Sequence, residues 1–279
     1  MNKVITKHIR NTFISLIGRV GIIAFYRIRK KKQNKALVRV IVFHDVLDSV
    51  WFSDIITHLA TTYHVVSPRA FFAGEFVSDK INILITFDDG YASWVSVCVP
   101  VLVRRGIHAV FFVNSGLLDV SSDTGAQAHY VRTNLRLSPH DTLSWEGLQK
   151  LYIVGHTIGG HTTTHARLSE LQKDMQRAEI TRDRNSITEK LGTTPTSFAY
   201  PFGRMTDYTE TTKQLVKESG YTHAFITESA FVNPIRTPND EIYAMPRLCI
   251  EDGLTIKRLD RWINGGYDVY TSLKRICVR

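Results

Sequence analysis

Residues 81–90 have the sequence Ile81-Asn82-Ile83-Leu84-Ile85-Thr86-Phe87-Asp88-Asp89-Gly90. The largely apolar run before the two acids predicts a buried strand. Two adjacent carboxylates at the end of a buried strand cost free energy unless a positive charge compensates them. A bound cation provides that compensation, so this run predicts a cation-binding site at the end of a strand.

A histidine pair comes later in the chain, in His161-Thr162-Thr163-Thr164-His165. Imidazoles at positions i and i+4 can complete the ligand set of a metal that one acid binds, while the other acid stays free as a base. The combination indicates a metal-dependent hydrolase. Taken alone, an Asp-Asp-Gly run is most often a turn, and a spaced histidine pair most often lies on a helix surface or in a core.

The positive charge of the chain is confined to one end. The 279 residues carry a formal net charge of +9, but residues 1–40 hold 11 Lys and Arg and no Asp or Glu. The rest of the chain therefore has a net charge of −2. A near-neutral body argues against a nucleic-acid-binding fold, which would spread basic side chains over a folded face. The length predicts one domain with an appendage.

The three cysteines, Cys98, Cys249 and Cys277, are widely spaced and odd in number. The sequence has no Cys-x-x-Cys pair that would indicate zinc or redox chemistry. This cysteine usage indicates a reducing compartment in which the thiols are incidental.

Residues 1–36 form a basic segment with an apolar centre. Residues 12–28 are largely apolar but contain Arg19, and basic residues flank them on both sides. A secretory signal peptide does not fit, because the apolar stretch is interrupted and the strongest charge cluster lies after it. A membrane-spanning helix fits poorly, because a central Arg costs roughly 2.5–3.5 kcal/mol.

We therefore predict that residues 1–36 form a basic amphipathic helix that lies on an anionic membrane. The alternative is an N-terminal helix that packs on the body with its charges in solvent. The first interpretation predicts a cytoplasmic protein that is peripheral to the inner membrane or anchored there.

Strand patterns alternate with helix patterns through the body. Strands are predicted at 37–43, 64–67, 81–87, 108–113, 197–200, 223–227 and 244–250, and helices at 52–62, 96–105, 144–153, 168–191, 208–219 and 254–264. Residues 115–141 are predicted to form a long polar loop. The alternation predicts a parallel sheet or barrel with its chemistry at the carboxyl ends of the strands.

Three motifs occur in order along the chain: Thr86-Phe87-Asp88-Asp89-Gly90, His161-Thr162-Thr163-Thr164-His165 and Ala199-Tyr200-Pro201-Phe202-Gly203. Together they resemble the polysaccharide deacetylases, the NodB-homology enzymes of carbohydrate esterase family 4. The resemblance covers residues 38–265. It implies an α/β fold of the distorted (β/α)-barrel type, in a deacetylase domain that spans residues 37–279.

The resemblance also implies the composition of the site. One divalent metal, Zn with Co or Ni as alternatives, would bind Asp89, His161 and His165, with open positions for water and substrate. The metal would polarise the acetamide carbonyl and activate the attacking water. Asp88 would act as general base, and the backbone N–H of Phe202 would stabilise the oxyanion.

The general acid is predicted at His44. Members of this family generally carry an acid histidine near the C-terminus, but no His follows His223 in this chain. His44 ends the first predicted strand, as in the circularly permuted members, which include the poly-N-acetylglucosamine deacetylases. We predict that His44 protonates the leaving amine. The alternative is a buried structural histidine.

A second departure from the family pattern concerns an arginine. Many members carry an Arg in the third motif that orients the catalytic aspartate, and Ala199 stands at that position here. Arg247 follows another predicted strand and can supply this charge. The alternative for Arg247 is a surface or structural salt bridge.

These residues predict a metal-dependent hydrolase that removes N-acetyl groups from amino sugars of a polysaccharide or lipid-linked glycan. The alternatives are an O-deacetylase or deformylase of a lipid-linked sugar, and a catalytically silent glycan-binding protein. The predicted partners are an N-acetylated glycan and an anionic membrane surface, with no nucleic acid.

Removal of residues 1–36 is expected to abolish sedimentation of the protein with anionic vesicles and to leave acetate release from a soluble substrate unchanged. Each Lys or Arg near an anionic surface contributes roughly 1 kcal/mol, so added salt should weaken sedimentation of the full chain. Binding that resists salt and needs detergent for release would show a spanning helix instead.

Overall fold

The computed structural model describes residues 36–232 and 241–268. The segment predicted to bind membranes lies outside these residues except for Ala36, and Cys277 also lies outside them. Among the helices of the described residues, none has the length and apolar character that crossing a membrane requires.

The body is built on a parallel sheet of short strands. The strands are β1 Val38–Phe43, β2 His64–Val65, β3 Asn82–Asp89, β4 Val110–Val113, β5 Thr157–Gly160, β6 Ser197–Ala199, β7 His223–Ile226, β8 Met245–Pro246 and β9 Leu248–Cys249. Every pair of neighbouring strands is parallel. Their order is β8-β7-β6-β5-β4-β3-β1-β9, and β2 pairs with β3 outside this path. Because the strands are parallel, their carboxyl ends meet at one end of the fold.

The two ends of the sheet are joined by a single residue. β8 pairs with β7 and β9 pairs with β1, and only Arg247 separates β8 from β9 in the chain. The chain itself therefore crosses the opening and nearly closes the sheet into a barrel. The predicted distorted barrel is confirmed, but the prediction of one continuous strand over 244–250 is wrong. One segment cannot pair with both ends of the sheet without a break, and the break falls at Arg247.

Helices surround the sheet and connect its strands. They are α1 Ser49–Thr62, α2 Pro68–Ala73, α3 Val99–Arg104, α4 Ser115–Asp119, α5 Thr124–Tyr130, α6 Trp145–Ile153, α7 Lys173–Leu191, α8 Glu210–Glu218 and α9 Ile256–Ile263. Single π-helical turns lie at Trp94–Cys98 and Val131–Leu135. Asp48 caps α1 by accepting the N–H groups of Val50 and Trp51, so this helix begins earlier than predicted.

The segment 115–141 is more ordered than the sequence predicts. It contains α4, α5 and the π-helical turn, where a long polar loop was predicted. Asp123 caps α5 by accepting the Ala126 N–H. Tyr130, Val131 and Leu135 then pack with Leu117 in a small apolar cluster of their own. Hydrogen bonds from the Tyr130 hydroxyl and the Asn134 side-chain amide to the Thr163 and Thr164 carbonyls connect the segment to the carboxyl end of the barrel.

Strand β3 is buried on both faces, as its apolar run predicts. Leu84 packs inside the barrel with residues of β1, β4 and β7, whereas Ile85 and Phe87 pack against the surrounding helices. Each large apolar side chain that is fully buried contributes about 1.5–3 kcal/mol. Side chains alternate along a strand, so Asp88 shares the inward face of Leu84. The barrel core therefore decides which of the two acids points into the barrel.

Candidate active site

The residues predicted to carry chemistry meet at the carboxyl end of the barrel. Asp88 and Asp89 end β3, and the other site residues follow the ends of β1, β5, β6 and β8. They surround an open cavity of about 340 Å³. Its lining is formed by His44, Asp88, Asp89, Tyr91, Leu135, Leu137, His161, His165, Phe202 and Thr227. These residues are far apart in sequence, and the parallel topology brings them together in space.

Asp89, His161 and His165 form a compact, buried group. Asp89 Oδ1 lies 3.3 Å from His161 Nε2 and 3.4 Å from His165 Nε2, and the three ligand atoms lie within 4.8 Å of one another. Two ligand atoms bound 2.0–2.1 Å from a tetrahedral zinc stand about 3.3–3.4 Å apart. The spacing of the carboxylate from each imidazole is therefore that of a metal ligand set.

The second nitrogen of each imidazole is already occupied. His161 Nδ1 lies 2.7 Å from the Ala199 carbonyl oxygen, and His165 Nδ1 lies 3.3 Å from the Asn134 carbonyl oxygen. A carbonyl accepts a hydrogen bond, so each Nδ1 carries a proton and each Nε2 is turned toward Asp89. Metal-binding histidines are typically oriented in this way. The donor set present here thus fits one divalent cation.

Backbone strain is concentrated at this group. Positive φ angles occur at Asp89 (88°), Thr162 (67°), His165 (53°) and Phe202 (62°). A non-glycine residue in this region costs of order 1–3 kcal/mol, and such strain is concentrated at functional sites. At Asp89 the turn redirects a side chain that would otherwise point away from the barrel interior.

Asp88 is held by Arg247 rather than by the histidines. Arg247 donates two hydrogen bonds to the carboxylate, from Nη1 to Oδ1 at 2.7 Å and from Nη2 to Oδ2 at 2.6 Å. Both side chains are buried. Arg247 also donates to Thr86 Oγ1 at 3.3 Å. The structure thus places Arg247 against the acid predicted as the base. A carboxylate has about four lone-pair sites, so Asp88 can still accept a proton.

His44 lies in the same cavity, on the loop that follows β1. Its carbonyl oxygen accepts a hydrogen bond from Trp94 Nε1 at 3.0 Å, and its Nδ1 lies 3.9 Å from Cys249 Sγ. Burial lowers the pKa of His44, but contact with Cys249 and the charges of Asp89 and Asp88 raise it from 6.5 to about 10. These neighbours therefore favour the protonated, proton-donating form of the imidazole.

Phe202 contributes both its backbone and its ring. Among the described residues, no oxygen accepts a hydrogen bond from the Phe202 N–H, which leaves it free for a ligand in the cavity. The Phe202 carbonyl accepts from Thr227 Oγ1 at 2.6 Å. The ring packs edge-on against His165, with 4.6 Å between centroids. The N–H remains the predicted oxyanion donor.

Two supporting residues were not predicted from the sequence. Asp183 of α7 is fully buried and accepts the backbone N–H groups of His161 at 2.9 Å and Ser115 at 2.8 Å. Burial raises the pKa of Asp183 to about 7, although these hydrogen bonds oppose the shift. Asn134 binds His165 through its carbonyl and donates its side-chain amide to the Thr164 carbonyl at 2.8 Å. The Asp123 helix cap was the sequence signal that could have identified the helical segment containing Asn134.

The sequence and the fold both match known deacetylases. Residues 77–224, more than half of the chain, match the family model described as Polysaccharide deacetylase. Over 193 residues the chain is 26% identical to the poly-beta-1,6-N-acetyl-D-glucosamine N-deacetylase of Staphylococcus aureus (strain MRSA252), covering 66% of this chain and 59% of that protein. The chain spans little more than half of the length of the curated relatives that it matches.

Solved structures show the same fold. The Streptococcus pyogenes deacetylase PplD, in complex with acetate, superposes with a TM-score of 0.66 at 19% identity, covering 82% of this chain and 98% of PplD. IcaB from Ammonifex degensii gives a TM-score of 0.63 at 22% identity, covering 84% of this chain and 97% of IcaB. The likeness to these two structures shows that the barrel is shared.

Asp89→Asn is expected to weaken binding of Zn²⁺ or Co²⁺ by at least about tenfold, because it removes an anionic ligand atom from the three-residue group. Asp88→Asn should retain the metal, because Asp88 binds Arg247 and not the histidines. Metal content after equilibrium dialysis measures the difference, with circular dichroism as the control for folding. Equal loss of metal in the two variants would show that the roles of the acids are misassigned.

Proposed function

This chain belongs to the polysaccharide deacetylase family, and we propose that it is a metal-dependent hydrolase that removes N-acetyl groups from amino sugars of a polysaccharide or lipid-linked glycan. The observation that carries this proposal is that two adjacent acids have different partners. Asp89 faces two imidazoles, whereas Asp88 is bound by Arg247 in the same cavity. A protein that only binds glycans has no use for the second, oriented carboxylate.

Asp89, His161 and His165 would hold one divalent metal, which would supply Lewis acidity toward the acetyl carbonyl. The metal is Zn²⁺ in this proposal, because imidazole and carboxylate ligands at this spacing suit it, and Co²⁺ or Ni²⁺ are the alternatives. The backbone carbonyls that bind Nδ1 already orient both imidazoles, so that each Nε2 faces Asp89 at the proposed metal position. Little reorganisation is needed for binding.

The proposed reaction uses one residue for each proton transfer. Asp88 takes a proton from the attacking water, whose oxygen forms a bond to the acetyl carbon. The Phe202 N–H donates to the oxygen that becomes negatively charged. The carbon–nitrogen bond then breaks, and His44 gives its proton to the amine nitrogen. Acetic acid and the free amine leave and ionise to acetate and an ammonium group. Asp88 then loses its proton to solvent and His44 regains one, so atoms and charges balance.

The state of His44 favours amide cleavage over ester cleavage. Expelling an amine as an anion is very unfavourable, so amide hydrolysis needs a proton donor. An alkoxide leaving group depends less on protonation. Cys249 and the two acids beside His44 favour its protonated form, which can supply that proton. This favours N-deacetylation over the alternative of O-deacetylation. Deformylation of a lipid-linked sugar is also an amide cleavage, so a general acid at His44 does not distinguish it from N-deacetylation.

Arg247 is proposed as a positioning residue. Ala199 occupies the position at which the third motif of many family members has an arginine. Arg247 instead reaches Asp88 from the seam of the barrel, the point between β8 and β9. Its two hydrogen bonds fix the plane of the carboxylate. A planar guanidinium gives this orientation better than a lysine would.

We also propose that residues 1–36 hold the protein against an anionic membrane on its cytoplasmic side. The support is the composition of this segment, with its basic residues on both sides of an apolar centre. In that place the enzyme would meet a glycan precursor during envelope or exopolysaccharide synthesis.

Acetate release from a panel of N-acetylated oligosaccharides and lipid-linked sugars tests the function. Wild-type protein should release acetate from at least one of them, a chelator should abolish the release, and added Zn²⁺ or Co²⁺ should restore it. Asp88→Asn should lose roughly 10²–10⁴-fold in turnover. Formate release with no acetate release would identify a deformylase. Glycan binding without any release would identify a silent binding protein.

His44→Ala is expected to lower kcat for an amide substrate by roughly 10²–10⁴-fold while KM and metal content stay near wild type. The loss should be smaller for an activated ester, because its leaving group needs less protonation. Parallel kinetics on an N-acetylated sugar and an activated acetate ester measure the contrast. Full amidase activity in His44→Ala would place the general acid elsewhere.

A further inference from the structure

A positive charge that the proposed reaction does not use lies beside the cavity. Arg136 ends the π-helical turn Val131–Leu135, and its neighbours Leu135 and Leu137 both line the cavity. The backbone of Arg136 is left-handed, with a φ of 60°. The Val131 carbonyl accepts hydrogen bonds from the N–H groups of Arg136 and Leu137. The tip of this turn is therefore fixed at the mouth of the site.

The side chain of Arg136 reaches the ring of Phe202, which lines the cavity. Its guanidinium carbon lies 5.5 Å from the centroid of the Phe202 ring, and that ring packs 4.6 Å from the ring of His165. The Phe202 ring thus lies between the Arg136 guanidinium and His165, a predicted metal ligand. A substrate group that extends past the Phe202 ring would therefore meet the Arg136 guanidinium.

Arg136 differs from the other arginine on the same ring. Arg167 lies 4.4 Å from the Phe202 centroid but forms ion pairs with Glu170 and Asp207. Arg136 is exposed, and over residues 36–232 and 241–268 no carboxylate forms an ion pair with it. Its place at the C-terminal end of a helical turn favours a positive charge. That does not explain why the guanidinium lies over a residue of the cavity.

We propose that Arg136 binds an anionic group, phosphate or carboxylate, on the part of the glycan next to the N-acetylated sugar. The planar guanidinium matches both groups through paired hydrogen bonds. The proposal rests on the proposed deacetylase function and narrows its substrate to an anionic glycan. Poly-N-acetylglucosamine, which carries no charge, would then be a poorer substrate.

The test compares three soluble substrates: a neutral N-acetylglucosamine oligomer, the same oligomer with a phosphate monoester on the neighbouring sugar, and an oligomer whose neighbouring sugar is a uronic acid. Wild-type protein should show a lower KM for at least one of the anionic substrates. Arg136→Gln should raise that KM by about tenfold and leave kcat and the neutral substrate unchanged. The anionic substrate that shows the effect identifies phosphate or carboxylate as the group bound.

Two further variants separate this role from a structural one. Arg136→Lys keeps the charge but loses the paired donors, so it should recover part of the affinity. Arg104→Gln removes a surface charge at the opposite end of the barrel, where α3 ends before β4, and should change nothing. Glutamine at 136 meets the same left-handed backbone cost as arginine, so folding is matched.

Equal KM values for neutral and anionic substrates in the wild type would overturn the anionic subsite and leave the deacetylase function standing. The subsite is also overturned if Arg136→Gln raises KM for the neutral and anionic substrates alike. Calorimetric binding of the phosphorylated, uronic and neutral oligomers gives a readout that needs no turnover. Binding of an anionic oligomer that weakens in Arg136→Gln would support the subsite even if no acetate were released, and unchanged binding would overturn it.

Discussion

The buried pair of Arg247 and Asp88 links the closure of the barrel to its chemistry. Arg247 occupies the one position between β8 and β9, where the chain passes from one end of the sheet to the other. From there it reaches the last inward-facing residue of β3 with hydrogen bonds of 2.6 and 2.7 Å. Removing one partner of a buried ion pair costs roughly 3–5 kcal/mol, because the other charge is left unpaired. The position of the proposed base and the closure of the sheet therefore depend on the same contact.

The two adjacent acids differ because of strand geometry. Asp88 follows the inward alternation of β3 and meets an arginine, whereas Asp89 comes at a left-handed turn and meets two imidazoles. Burial raises the pKa of Asp89, but hydrogen bonds from His161 and His165 hold it well below its usual range. Two adjacent aspartates, Asp88 and Asp89, thus have different environments. Such a separation is what acid–base chemistry beside a metal requires.

Much of this arrangement was predictable because it follows from strand ends. The apolar run before Asp88 predicted β3, and parallel topology then required the residues after β1, β5 and β6 to converge. His44 could be predicted in this way because it comes directly after an apolar strand. Arg247 was predicted from the absence of an arginine at Ala199, although its place at the seam was not. Only the pairing of β8 and β9 with opposite ends of the sheet gives it that place.

Asp183 and Asn134 were not predictable from local sequence. Asp183 lies on a helix with little apolar periodicity and acts on His161 and Ser115 through their backbone N–H groups, which leave no signature in sequence. Asn134 acts on His165 through its own carbonyl, so its side chain gave no signal for that contact. The polar composition of residues 115–141 concealed the helix cap and the small apolar cluster that order them.

That segment connects the predicted metal ligands to the mouth of the cavity. The Asn134 carbonyl orients His165, and Leu135 and Leu137, on either side of Arg136, line the cavity. The Val131 carbonyl, which accepts two N–H groups of the same turn, ties these functions to one short stretch of backbone. A change of substrate preference made by altering the backbone here would also move a ligand of the predicted metal. Side-chain substitutions at 136 avoid this coupling, so the charge at the mouth can vary while the chemistry below it stays fixed.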